Sequence, residues 1–223
     1  MKTLDKWSAE NLRKEVNVDK KKWNALPSDK VIEDTVKAIE GRGIKIKVVE
    51  SSEEALGEIK GVIPAGAEVM NGSSTTLIEI GFVELLTSGK HSWKNVHGTI
   101  FAEPDQSKQM ELRRKSVTSE YFLSSVNAIA QTGELVASDA SGSRVGAFPF
   151  GAKNLILVAG VNKIAPTLND ALDRIKEYAF PLEDLRAQKA YGMNSRLGKI
   201  VIIANEMFVG RTTLILVKED LGY

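Results

Sequence analysis

Ala67-Glu68-Val69-Met70-Asn71-Gly72-Ser73-Ser74-Thr75-Thr76-Leu77-Ile78-Glu79-Ile80-Gly81 holds a strand, a polar loop and a helix start in one short stretch. The apolar run Val69-Met70 halts at Asn71-Gly72. Four hydroxyl residues follow, and a helical apolar pattern opens at Leu77. Repeated along a chain, this unit builds a parallel α/β sheet. It also makes an anion site. N–H groups at a helix start have no intrahelical partner, and the helix dipole favours negative charge there. Gly72 permits a sharp turn and a close approach to a ligand, and the hydroxyls can donate to phosphate or carboxylate oxygens. Asn71, Gly72, Ser73, Ser74, Thr75 and Thr76 are therefore candidate ligand-binding residues. A plainer account also holds: Thr76-Leu77-Ile78-Glu79 fits a capping box, so helix initiation alone explains the same residues.

Upstream, Leu4, Trp7, Leu12 and Val16 recur at roughly helical spacing and predict a helical arm over residues 1–27, ended by Leu26-Pro27-Ser28. Ser28-Asp29 caps a second helix that carries Val31, Ile32, Val36 and Ile39 to Gly41 or Gly43. A strand at Ile44–Val49 and a short helix from Ser51-Ser52 to Ile59 lead into Val69-Met70. The alternation predicts crossover helices and a parallel sheet. Downstream, residues 88–118 have no clear period and read as an insertion or a lid over the site. Tyr121–Ala130 and Glu134–Ser138 read as two strands joined by a hairpin turn at Thr132-Gly133. Leu155-Ile156-Leu157-Val158-Ala159 is continuously apolar, as a central strand buried on both faces should be. Thr167 to Asp170 caps a helix to about Tyr178, and Ile200–Ile203 and Leu214–Val217 add two strands. The expected fold is α/β: a mixed, mostly parallel open sheet flanked by helices, with residues 28–223 as the domain and the helical arm before it.

Composition narrows the function. The chain has 223 residues, 43% hydrophobic and 26% charged, with 30 basic against 29 acidic residues. That balance gives no nucleic-acid footprint, and Lys20-Lys21-Lys22 reads as a solvated helix face. With no cysteine there is no disulfide, no cysteine nucleophile and no cysteine-ligated iron–sulfur cluster or zinc ribbon. Met1 to Trp7 lacks the apolar core of a signal peptide, and the apolar runs are too short to span a bilayer. The expected location is the cytoplasm, without a membrane or nucleic-acid partner. Self-association stays open.

Other loops extend the candidate site. Gln131-Thr132-Gly133-Glu134 brings hydroxyl, amide and carboxylate together, although a hairpin turn explains it equally. In Asp139–Arg144, Arg144 could fork onto a carboxylate or phosphate, or pair with Asp139. Lys163 follows the buried strand directly, where ligands of open parallel sheets bind, although a solvated lysine explains it equally. Thr132, Gly133, Arg144 and Lys163 thus join the ligand-binding candidates. Glu79, one helical turn behind the Ser/Thr loop, is the first candidate base or nucleophile, and Glu134 the second. His91 and His97 lack metal-pair spacing, so no metal site is expected, and the absence of a dinucleotide fingerprint or Walker loop leaves no cofactor expected.

The segments Ser125–Asp139 and Asn154–Leu172, with the Asn71–Leu77 loop, resemble the LUD domain family of lactate-utilisation proteins over about residues 30–217. The family is similar in fold to the group of ribose-phosphate isomerase, glucosamine-phosphate deaminase, CoA transferases and formyltetrahydrofolate cyclo-ligase, in which the strand–loop–helix unit commonly holds an anionic substrate. The resemblance implies a small anionic ligand at Gly72–Thr76 and an accessory role in oxidising L-lactate to pyruvate. Redox chemistry would then lie in iron–sulfur partner subunits, since this chain has no cysteine. The alternative is a stand-alone isomerase or transferase acting on a sugar phosphate or CoA thioester. The isomerases' acidic and lysine motifs find no match here.

Overall fold

The computed structural model describes residues 8–223. Leu4 and Trp7 of the expected arm lie outside the described residues. The rest of the arm forms two short helices rather than one, α1 (Ala9–Arg13) and α2 (Lys20–Trp23). Each has its own cap: Ser8 accepts the Asn11 N–H and Asp19 accepts the Lys22 N–H. A capping carboxylate at Asp19 starts a new helix there rather than continuing the first. Next come α3 (Asp29–Glu40), capped by Ser28, β1 (Lys45–Val49), α4 (Ser52–Val62), capped by Ser51, and β2 (Glu68–Asn71). Beyond the Ser/Thr loop, α5 (Thr75–Glu79) and α6 (Phe82–Ser88) are separated at Gly81, whose φ of 79° takes the left-handed conformation that glycine accepts most readily.

Residues 88–118 are part of the sheet as well as a cover. β3 (Lys94–Asn95) pairs in parallel with β2, and α7 (Val96–Ala102) and α8 (Gln106–Lys115) come after it. The expected strand Tyr121–Ala130 is two strands: β4 (Tyr121–Ser124) and β5 (Ala128–Ala130) belong to different sheets. The chain steps between them at Ser125–Asn127, where the three carbonyls accept from Arg144, Lys163 and Arg174 side chains while the Asn127 N–H donates to Val136 O of the neighbouring strand. β6 (Leu135–Asp139), β7 (Asn154–Gly160) and β8 (Ile164–Ala165) complete this region. The helix expected to stop near Tyr178 runs on. α9 (Leu168–Arg174) passes through a π-helical turn, Ile175–Ala179, into α10 (Phe180–Tyr191). Pro181 lacks an N–H and would clash with the preceding turn of a regular helix; the wider turn accommodates it. β9 (Lys199–Ile203) and β10 (Thr212–Val217) end the elements.

Six strands form one parallel sheet in the order β1-β10-β7-β4-β2-β3. The second sheet, β8-β5-β6-β9, is antiparallel except for the β5–β8 pair. Continuous apolar strands suit a sheet covered on both faces. Leu155, Leu157, Leu214 and Leu216 point to one side, onto α3 and the second sheet. Ile156, Val158, Ile215 and Val217 point to the other, onto α4, α5 and α6. Alanines 128, 130 and 171 let α9 lie close on the second sheet. The arm packs through Leu12 and Trp23 on Tyr178, Leu182 and Tyr223. Among the described residues no helix is long and apolar enough to cross a membrane.

Candidate functional site

Neighbouring strands β2, β4 and β7 end side by side at Asn71, Ser124 and Gly160. The loops leaving them, with those after β6 and α10, enclose a cavity of about 380 Å3. Asn71 to Thr76, Arg144 and Lys163 all line it. Position in the fold accounts for this convergence: loops leaving the carboxyl ends of adjacent parallel strands meet.

The Ser/Thr loop does more local work than an anion cradle requires. Ser74 Oγ accepts the Leu77 N–H at 3.2 Å and is the N-cap of the five-residue α5, so the capping residue is Ser74 and not Thr76. The register shift removes Glu79 from the capping box. Its carboxylate instead accepts the N–H of Ala9 at 2.8 Å and that of Gly222 at 2.6 Å, bracing the arm to the C-terminal segment. Gly72 serves a close approach within the protein itself. A Cβ there would collide with the Arg144 side chain, 2.9 Å from its Cδ, so the glycine makes room for the arginine stem.

Arg144 does not pair with Asp139 through its guanidinium. Asp139 accepts the backbone N–H groups of Ser141, Arg144 and Val145, shaping the loop. The guanidinium donates to Ser125 O at 2.7 Å, Ser138 O at 2.5 Å, Asn127 Oδ1 at 3.2 Å and Ser124 Oγ at 3.3 Å. Burial holds its pKa below the ordinary value, with Asp139, Glu183 and Tyr223 opposing. Lys163 is 1% exposed. Its Nζ lies 2.8 Å from Thr76 Oγ1, 2.9 Å from Ser125 Oγ and 3.0 Å from Val126 O. Burial and then Arg174 push its pKa well below the ordinary lysine value, against the pull of Glu79.

The turn after β5 stands apart. Gly133 packs on the α3 backbone at Ala38, Glu134 pairs with Arg42 at 2.5 Å, and Thr132 Oγ1 donates to Glu134. Thr132, Gly133 and Glu134 sit at the opposite end of β5 from the Ser125–Asn127 crossing that lines the cavity. Their groups complete a hairpin.

Several lining residues escaped sequence reasoning. Ser125, inside an expected strand, gave no loop signal. Glu183 and Arg186 form a two-bond ion pair at 2.6 and 2.7 Å, and Tyr223 Oη donates to Glu183 at 2.6 Å. Burial and then the Glu183 charge raise the Tyr223 pKa well above its ordinary value. His97, which lacks metal-pair spacing in the sequence, lines the cavity and tilts against Phe101 with ring centroids 4.4 Å apart. Burial and then Arg113 lower its pKa. The i,i+3 spacing of Glu183 and Arg186 was the one signal available for these residues. Among the described residues no three His, Cys, Asp or Glu side chains cluster to hold a metal ion.

The molecule is thus a parallel-sheet α/β domain with a cation-rich cavity at the carboxyl ends of its strands. The LUD domain family model matches residues 32–206, and the chain belongs to that family. In fold it is similar to the crystal structure of a DUF162 family protein from Deinococcus radiodurans, with a TM-score of 0.51 and 10% sequence identity. The likeness covers 86% of this chain and 99% of that one. No curated protein matches the chain.

Proposed function

We propose that this LUD-domain protein binds a small carboxylate- or phosphate-bearing ligand in the cavity and serves as an accessory component of L-lactate oxidation. The redox chemistry would belong to iron–sulfur partner subunits, because this chain has no cysteine to ligate a cluster. One observation carries the ligand class. Arg144 and Lys163, both in the cavity wall, are bonded to carbonyl and hydroxyl oxygens rather than to carboxylates. Around them the wall carries Arg113, Arg186 and Arg196, against the carboxylates of Asp139 and Glu183. A cation held in a protein wall without a counter-ion is costly, and an anionic ligand beside Arg144 offsets that cost.

The cavity size favours the second reading, a stand-alone isomerase or transferase for a sugar phosphate or CoA thioester. About 380 Å3 falls within the roughly 300–1,000 Å3 typical of pockets for drug-sized ligands, more room than a three-carbon acid fills. Calorimetry with L-lactate, pyruvate, inorganic phosphate, ribose 5-phosphate and acetyl-CoA separates the readings. Binding of lactate or pyruvate, lost in Arg144→Met, supports the first. Binding of only the larger ligands supports the second, and no binding by any of the five refutes both. The isolated chain should not reduce an acceptor dye with L-lactate; reduction would overturn the accessory role.

A further inference from the structure

Three side chains from separate elements meet at the base of the cavity. Thr76 comes from α5, Ser125 from the crossing between β4 and β5, and Lys163 from the 3-10 turn after β7. All three are buried and all three line the cavity. Lys163 Nζ is within 2.9 Å of both hydroxyls, and the hydroxyls are 3.2 Å apart. We propose that Ser125, Thr76 and Lys163 form an activated-hydroxyl triad, with Ser125 as nucleophile and Lys163 as its general base, acting on a negatively charged carboxylic ester or thioester. The proposal rests on the anion-site reading of the cavity.

Hydrogen-bond chemistry supports a proton-transfer role over a merely buried ammonium. A charged amine has three donors, and Thr76 Oγ1, Ser125 Oγ and Val126 O supply three acceptors. A neutral amine has two donors and one lone pair. It then donates to Thr76 Oγ1 and Val126 O and accepts the Ser125 O–H. The amine finds partners in both protonation states, so a proton can pass from Ser125 to Lys163 without orphaning Nζ. Among the groups facing the amine, Arg174, Arg144 and Arg13 disfavour its charge and Glu79 favours it, and burial outweighs all of them. Gly222 lies against Thr76 Oγ1, so the attack is assigned to Ser125.

In the reaction, Ser125 Oγ bonds to the acyl carbon as its proton passes to Nζ, and the carbonyl π pair moves onto oxygen beside the Arg144 charge. Collapse breaks the bond to the alcohol or thiol, which takes the proton from Nζ. Water then attacks the acyl-serine, gives its proton to Nζ, and releases the acid as Ser125 recovers that proton.

The test uses the full chain with a neutral fluorophosphonate probe and with mono-p-nitrophenyl succinate, and peptide mass spectrometry locates the adduct. The expected result is one adduct on Ser125 and a nitrophenolate burst of about one equivalent. Ser125→Ala abolishes both. Lys163→Met slows both by about 100-fold, the scale of one general base. The labelling rate rises with pH to a plateau below the ordinary lysine range, and Thr76→Val keeps the Ser125 adduct. Melting curves establish that each variant is folded, and the adduct position in the unaltered chain decides the matter even if one is not. An adduct elsewhere, or one that survives Ser125→Ala, overturns the triad. An unreactive chain that still binds anions by calorimetry overturns the triad alone. Labelling of Ser125 without any anion binding keeps the triad and refutes the anionic ligand class.

Discussion

The two ends of the parallel sheet treat a buried cation in opposite ways. At the amino end, Arg211 precedes β10 and is matched. Its Nη1 meets Glu206 at 2.8 Å, Nη2 meets Phe148 O at 2.8 Å, and Thr212 Oγ1 donates to the same carboxylate at 2.6 Å. Burial alone would raise the Glu206 pKa, but Thr212, the Phe208 N–H and Arg211 together hold it below its ordinary value. At the carboxyl end, the Arg144 guanidinium is given carbonyls, an amide oxygen and a hydroxyl instead. Both arrangements satisfy hydrogen bonds, yet only the first neutralises charge. The amino end is finished within the chain, and at the carboxyl end the Arg144 guanidinium has no carboxylate hydrogen-bond partner, the arrangement that the proposed anionic ligand would complete.

Removing one partner at the finished end should have the largest effect. Arg211→Ala leaves Glu206 without its cation and should lower stability by about 3 kcal/mol in urea unfolding, with anion binding intact. A loss under about 1 kcal/mol would dissolve the contrast. At the open end, Gly72→Val should push the Arg144 stem out of place. The expected costs are about 1–3 kcal/mol from overpacking and at least about a tenfold weaker anion affinity. Parent-like binding would mean that Arg144 does not set the site.

A third comparison sharpens the charge argument. The Lys163 pKa is depressed in the folded state, so between that value and the unfolded value near 10.5 the unfolded chain binds more protons. Stability conferred by this group therefore rises with pH through that window. Lys163→Met should lack that part of the slope, measured as midpoint against pH for both proteins; identical slopes would show an ordinary lysine. The smallest effect belongs to Ser74→Ala, which removes the α5 cap and should cost about 1 kcal/mol of stability. A binding defect without a stability change would return Ser74 to the ligand.

Much of this contrast can be read from the chain before any coordinates. The apolar run at Leu155–Ala159 identifies the sheet centre, and Asn71-Gly72 and Lys163 identify places where strands stop. What sequence could not tell is which end of a strand a turn occupies. Thr132-Gly133-Glu134 and Ser73–Thr76 have similar composition, but one closes a hairpin against α3 and the other faces the cavity. Ser125 was hidden for a related reason: a chain that changes sheets keeps an extended, apolar appearance on both sides of the step. The cap of α5 falls two residues earlier than the sequence pattern suggests, at Ser74 rather than Thr76, and the Glu79 carboxylate accepts from Ala9 and Gly222.

β10 lies between β1 and β7, although the chain makes it last of the three. During synthesis, the edges of β1 and β7 cannot be joined until residues 212–217 have left the ribosome. The nascent chain carries the unpaired edge of β1, joined from residue 160 onward by that of β7, until β10 is made, the condition under which chaperone capture and aggregation compete with folding. Ribosome-stalled chains ending before Thr212 should remain protease-sensitive across β1 and β7. Stalled chains carrying a C-terminal extension long enough for residues 212–217 to clear the ribosome should show the whole sheet resistant.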